Sequence, residues 1–167
     1  MRCTFLLMLL FSADVLSSDL CEAHPELEFF NSFSGVLDIE LTDEAKPMKN
    51  LPGNLISGPN SKVTRVTLSI ELYNEEKDLF RALTNSELNS IAFKSEAIVI
   101  GSESGESVTH SAKNGKHFTA KELISAIEQT ELKTRGNTDW FGGVDVHHIF
   151  FEGLSCHQGV WVPFWGS

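Results

Sequence analysis

The chain has 167 residues, and its 23 acidic and 13 basic side chains give it a formal net charge of -10 at pH 7. This acidic balance disfavours nucleic acid and anionic membrane as partners, because both attract basic surfaces. The length suits one domain with a hydrophobic core of its own.

The first 17 residues have the pattern of a secretory signal peptide. A positive start at Arg2 precedes an apolar run over residues 5–11, and small or medium residues follow at 15–17. The run is too short to span a bilayer, and no later stretch is apolar for long enough to do so. We therefore expect residues 1–17 to be removed and 18–167 to form a single secreted, extracellular domain.

Two cysteines remain after the signal peptide is removed with Cys3. Thiols in an oxidising compartment pair, so Cys21 and Cys156 are predicted to form a disulfide. The loop it closes exceeds a hundred residues, which corresponds to about 4–5 kcal/mol of lost unfolded-chain entropy. Two free thiols or an intermolecular bridge are the alternatives.

The first half of the mature chain contains two clear strand patterns. Residues 22–33 mix acids with Phe and predict a short helix or an extended cover. Residues 35–41 and 62–73 alternate apolar and polar side chains, as a half-buried strand does. The intervening 42–61 segment is rich in Pro and Gly and is predicted to be a long surface loop.

A helix is predicted after the second strand. Asn74 can cap its N-terminus, with Glu75 and Glu76 in the first turn. A second helical turn is predicted to begin at Thr84 or Ser86. The apolar positions assigned to these helices are Leu79, Phe80, Leu83, Leu88 and Ile91.

The second half predicts two short strands, at 97–100 and 107–110, and then a tight turn at Asn114-Gly115. Thr119 and Glu122 have the spacing of a capping box at the start of a helix. Leu123, Ile124 and Ile127 form its inner face, and the helix should end near Lys133, Arg135 and Gly136.

The last two predicted strands cover 144–151 and 160–165. Pro163 cannot donate to a ladder, so the final strand is predicted to lie at an edge. The resulting order predicts an α+β fold: an antiparallel sheet covered on one face by two helices. From residue 62 onward the order matches a ferredoxin-like (split βαβ) arrangement with added strands.

Histidines in the penultimate strand suggest acid–base chemistry. Neighbouring side chains on a strand point to opposite faces, so His147 and His148 are not expected to bind one metal ion together. Asp145 and His147 would share a face, and Glu152 is a candidate general acid. A metal would need a third ligand such as His110, His117 or His157. One structural and one exposed histidine is the alternative.

A locally cationic patch surrounds the Asn114-Gly115 turn. Its members are His110, Lys113, Lys116 and His117. The patch precedes a helix N-terminus, where anions are favoured, so a phosphate, sulfate or acidic glycan could dock there. A solvated turn is the alternative.

Trp140 and Phe141 precede Gly142 and Gly143 in a predicted loop. Exposed aromatic side chains on such a loop suit stacking on a sugar or docking on a protein. Burial in the core is the alternative.

The sequence thus predicts a small, acidic, effector-like binding protein that recognises an extracellular protein or a cell-wall glycan without catalysis. The alternative is a secreted hydrolase using Asp145, His147 and Glu152. Phosphate-loop and dinucleotide fingerprints are absent from the sequence, so no cofactor is expected.

Overall fold

The computed structural model describes residues 21–42, 62–102, 105–138 and 143–167. The predicted signal peptide, nearly all of the predicted 42–61 loop, and the Trp140 and Phe141 pair lie outside the described residues. Strands account for 48% of the described residues and helices for 20%.

Eleven strands and three helices are found within the described residues. The helices are α1 (Leu27–Asn31), α2 (Asn85–Leu88) and α3 (Ala120–Thr134). The first six strands are β1 (Phe33–Leu41), β2 (Val63–Asn74), β3 (Leu79–Ala82), β4 (Ile91–Phe93), β5 (Ala97–Gly101) and β6 (Ser107–Ser111). The others are β7 (Phe118–Thr119), β8 (Asn137–Thr138), β9 (Gly143–Val144), β10 (Phe150–His157) and β11 (Val160–Gly166).

Seven strands form one mixed sheet in the order β3-β2-β1-β10-β11-β5-β6. The pair β11–β5 is parallel, and the other neighbours in this sheet are antiparallel. Two small pairs, β4–β7 and β8–β9, stand apart from it. The coarse α+β class is therefore correct, but the predicted antiparallel sheet under two helices, in ferredoxin-like order, is wrong.

The predicted helix after Asn74 is instead a β-hairpin, which is one reason for that error. Tyr73 and Phe80 pack as cross-strand partners with ring centroids 5.3 Å apart. The Tyr73 hydroxyl donates to the Asp78 carboxylate, and Asp78 has a left-handed backbone with φ of 50°. The Asn74 side chain accepts from the Lys77 amide and so closes the turn.

The final strand is interior, so the prediction of an edge at Pro163 is also wrong. β11 lies between β10 and β5, and its ladder to β5 consists of the pair Trp161–Ile100. Pro163 faces Leu154, beside the irregularity in the β10–β11 register. A residue without an N–H is tolerated at such an interruption of the ladder.

The helix α3 packs on one face of the sheet and covers the core. Its capping box is confirmed, because the Thr119 hydroxyl accepts from the Glu122 amide and the Glu122 carboxylate accepts from the Thr119 amide. Leu123 and Ile127 are fully buried, and Ile124 is partly buried. Other core residues are Phe30, Phe33, Leu37, Ile98, Ile100, Phe118, Phe151 and Trp165.

The predicted disulfide between Cys21 and Cys156 is confirmed and ties the segment before α1 to β10. No helix within the described ranges is long and apolar enough to cross a membrane.

Candidate functional site

A polar groove of about 330 Å³ runs between β6 and α3. We call it the β6–α3 groove. Two members of the predicted cationic patch, His110 and Lys113, line it. The remaining lining residues are Thr109, Ser111, Phe118, Glu122, Ser125, Ala126 and Gln129.

His110 is held against α3 in a defined tautomer. Its Nε2 lies 2.8 Å from the Thr130 hydroxyl oxygen, and that hydroxyl donates to the Ala126 carbonyl at 3.0 Å. Because the single hydroxyl proton is used there, Nε2 must be the donor to Thr130. Burial lowers the pKa of His110, and the nearby Lys133 charge lowers it further. At neutral pH His110 is therefore a neutral ring rather than a cation.

The turn after β6 is built on Asn114. Its side-chain oxygen accepts from the amides of Lys116 and His117, and its nitrogen lies 3.0 Å from His117 Nε2. Gly115 has φ of +65°, which explains the glycine at this position. Of the other three patch members, the exposed Lys113 lines the groove, whereas the exposed Lys116 and the half-buried His117 belong to the turn.

The positive charge of this region comes from lysines rather than from the helix N-terminus. The Glu122 carboxylate occupies the start of α3, where it accepts from the Thr119 amide at 2.9 Å. No carboxylate of the described residues pairs with Lys113 or Lys116. On a protein of net charge -10, Lys113 in the groove and Lys116 in the following turn are therefore a local concentration of positive charge.

The predicted strand over 144–151 is wrong in its centre, which changes the partners of Asp145. β9 ends at Val144 and β10 begins at Phe150. In the intervening bend, one Asp145 oxygen accepts from the His147 amide at 2.8 Å, and the other lies 2.7 Å from His148 Nδ1. Asp145 is therefore paired with the ring of His148, not with that of His147.

Hydrogen bonds hold the Asp145 carboxyl in its charged form. Burial raises its pKa, but the His148 ring and the amides of His147 and His148 outweigh that effect and leave the pKa below its ordinary value. The hydrogen bond between the Asp145 oxygen and Nδ1 of His148 fixes the orientation of the His148 ring. The His148 side chain is 32% exposed.

Arg135 fastens this bend to the end of α3. Its guanidinium donates to the carbonyls of Asp145 at 2.8 Å and His148 at 3.1 Å. Its Nε donates to Glu131 at 2.7 Å, and Glu131 also accepts from Trp165 Nε1 at 3.0 Å. Neither a role for Glu131 nor this contact of Arg135 was predicted from the sequence. The i, i+4 spacing of Glu131 and Arg135 at the end of a helix is the feature of the sequence that could have indicated this ion pair.

The three predicted hydrolase residues are not brought together. Asp145 and His147 lie in the bend, whereas Glu152 is exposed on β10. No hydrogen bond or ion pair among the described residues joins Glu152 to either of them. The described residues also contain no group of three His, Cys, Asp or Glu side chains that could hold a metal ion.

A second groove, of about 440 Å³, lies between α3 and the β2–β3 hairpin. Its lining is largely apolar, with Leu68, Ile70, Leu83, Leu88 and Ile124 among its members. Asp145, His147, His148 and Glu152 line neither this groove nor the β6–α3 groove.

Comparison with known proteins identifies no family model, no curated protein and no solved structure that matches this chain.

Proposed function

We propose that this is a secreted protein that acts by binding an extracellular protein or a cell-wall glycan, without catalysis, through the β6–α3 groove. The observation that carries the proposal is the groove itself, which combines the neutral His110 ring with the Lys113 ammonium group, for which the described residues provide no carboxylate partner. Polar groups that converge on a concave surface are typical of binding sites.

The dispersal of the predicted acid–base residues also supports binding. A hydrolase with a carboxylic acid and a base needs both groups within reach of one substrate bond. Among the described residues, no hydrogen bond or ion pair joins Glu152 to the Asp145–His148 pair. Asp145, His148 and Glu152 line neither of the two grooves.

The disulfide supports the extracellular part of the proposal. Bridges such as Cys21–Cys156 form and persist in oxidising compartments. The predicted signal peptide over residues 1–17 would deliver the chain to such a compartment.

A second candidate function is hydrolysis with His148 as general base. The observation in its favour is the 2.7 Å contact between Asp145 and His148 Nδ1, which orients the ring as a carboxylate orients a catalytic histidine. Asp145→Asn would remove the carboxylate that orients the His148 ring. We would assay phosphodiester and glycoside hydrolysis, and turnover that falls at least tenfold in this variant would favour the hydrolase.

The binding proposal can be tested with the oxidised, mature protein on a glycan array and on a panel of purified extracellular proteins. Lys113→Glu should weaken a genuine interaction at least tenfold, because it reverses the charge at the end of the groove. Lys121→Glu is the matched control, since Lys121 is an exposed lysine of α3 that does not line this groove. Equal loss in both variants, or no ligand in either panel, would contradict the proposal.

A further inference from the structure

The geometry points to an extended peptide segment of a protein partner as the occupant of the β6–α3 groove, paired with the outer edge of β6 as an additional strand. This inference rests on the proposed binding function and names the ligand class within it. Addition of a strand to an exposed sheet edge is a recurring mode of peptide recognition.

Two backbone hydrogen bonds, one at each end of the β5–β6 hairpin, show which opposite residue pairs of the two strands are hydrogen-bonded. The Ser102 amide donates to the Glu106 carbonyl at 2.8 Å, and the Ala112 amide donates to the Glu96 carbonyl at 2.8 Å. Residues opposite each other in an antiparallel pair alternate between bonded and non-bonded pairs. The pair Ile98–His110 lies two residues along each strand from Glu96–Ala112, and the pair Ile100–Val108 lies two residues from Ser102–Glu106. Both are therefore hydrogen-bonded pairs.

The other residues of β6 consequently direct their backbone groups away from β5. These residues are Ser107, Thr109 and Ser111. β6 is the last strand of the seven-stranded sheet, and the described residues provide no hydrogen-bond partner for these outward amides and carbonyls. A row of such donors and acceptors is a template for a further strand.

The groove lies along this edge, because Thr109 and Ser111 are among its lining residues. Its opposite wall is α3, where Ser125 and the exposed Gln129 can contact side chains of a bound strand. The five residues of β6 span about 17 Å at roughly 3.4 Å per residue, so the edge can pair with a peptide of about five residues.

Charge complementarity indicates the kind of peptide. The lysines Lys113 and Lys116 follow the C-terminal end of β6 and have no carboxylate partner among the described residues. A peptide with an acidic side chain, or its own terminal carboxylate, at this end would supply that partner. A second copy of this chain fits less well, since each copy carries a net charge of -10.

The test uses a phage-displayed library of linear seven-residue peptides and the tightest-binding peptide recovered, made synthetically. Thr109→Pro removes an outward N–H without removing a bond to β5, and proline is tolerated on edge strands. We expect it to weaken peptide binding at least tenfold. Thr109→Ala removes the same side chain but keeps the amide, so Thr109→Pro should bind the peptide at least tenfold more weakly than Thr109→Ala does.

Two further measurements keep the test decisive if Thr109→Pro fails to fold. In the unchanged protein, the bound peptide should slow amide hydrogen exchange at Thr109 and Ser111 at least tenfold. Two versions of the peptide would carry N-methyl groups, one at its odd-numbered and one at its even-numbered positions. Only the version whose methyl groups replace the N–H groups that face β6 should lose binding. An unaffected Thr109→Pro affinity, unprotected amides, no recovered peptide, or a self-associated dimer that Thr109→Pro dissolves would overturn the inference.

These outcomes separate this inference from the proposed function. A glycan or folded-protein ligand that depends on Lys113 but leaves the Thr109 amide unprotected would retain the binding function and reject strand addition. If no ligand of any class binds more weakly to Lys113→Glu, both the proposed binding function and the addition of a strand are rejected.

Discussion

Arg135→Met should be among the most destabilising single substitutions in the protein. The Arg135 and Glu131 side chains are 7% and 3% exposed, with nitrogen and oxygen 2.7 Å apart. Removal of the guanidinium leaves the Glu131 carboxylate buried without its cation and also deprives two carbonyls of their donor. Breaking a buried pair in this way costs about 3–5 kcal/mol.

The chain contains a matched control for burial. Arg65 and Glu40 form an ion pair of almost the same length, 2.6 Å, but their side chains are 62% and 51% exposed. Exposed pairs contribute about 0–1 kcal/mol, so Arg65→Met should change the free energy of unfolding by less than about 1 kcal/mol.

Urea unfolding of the disulfide-bonded protein measures both effects. At a slope of about 2 kcal/mol per M, a loss of about 4 kcal/mol lowers the midpoint by roughly 2 M. The double variant Arg135→Met with Glu131→Leu should lose less than the sum of its single variants, since no buried charge remains unpaired. Similar midpoints for Arg135→Met and Arg65→Met would refute the argument from burial.

Three other changes test the fold and the groove. Thr119→Ala should cost about 1 kcal/mol of unfolding free energy through the lost helix cap, and an unchanged urea midpoint would show that the cap adds nothing. The pKa of His110 is lower in the folded protein than in the unfolded chain, where it is near 6.5. The contribution of His110 to the free energy of unfolding is therefore complete above the unfolded pKa and is lost as the pH falls through the folded pKa. His110→Asn should therefore flatten the decline in thermal midpoint between pH 7.5 and 5, whereas a parallel decline would contradict the assignment. Replacing Cys21 and Cys156 with Ala should cost about 5 kcal/mol, as expected for a sequence separation of 135, and a loss below 1 kcal/mol would show that the bridge does not restrict the unfolded chain.

Local patterns were sufficient where one physical cause dominated. The alternation over 62–73 predicted β2, because a strand with one buried face imposes a period of two on its sequence. The Thr119–Glu122 spacing predicted the start of α3, because both halves of a capping box are local in sequence.

The errors arose where side-chain contacts outside the expected pattern decided the outcome. Asn74 is followed by acidic residues as a helix start would be, but the Tyr73–Phe80 pair and the left-handed Asp78 favour a hairpin. Here the pairing of side chains across the two strands stabilises the hairpin more than a weak helix propensity stabilises a helix. A search for apolar residues at helical spacing does not detect such cross-strand pairs.

The Asp145–His148 pair was missed for a similar reason. Continuous strand geometry over 144–151 would place Asp145 with His147, because residues two apart share a face. The contacts of Arg135 are incompatible with a continuous strand here, because its guanidinium donates to the carbonyls of both Asp145 and His148 and the chain bends between them. A contact from ten residues away therefore decides which histidine the carboxylate meets.

Gln129→Trp would show whether the protein binds its ligand in the β6–α3 groove. Gln129 is exposed on α3, so an indole there fills the groove without disturbing the core. Leu132→Trp is the control, because Leu132 is 41% exposed on the same helix and lines neither groove. We would measure the dissociation constant of the best ligand from the protein, glycan and peptide panels. Binding in the groove predicts a loss of affinity of at least tenfold for Gln129→Trp and no change for Leu132→Trp. Equal affinities for both variants and the unchanged protein would contradict binding in the groove.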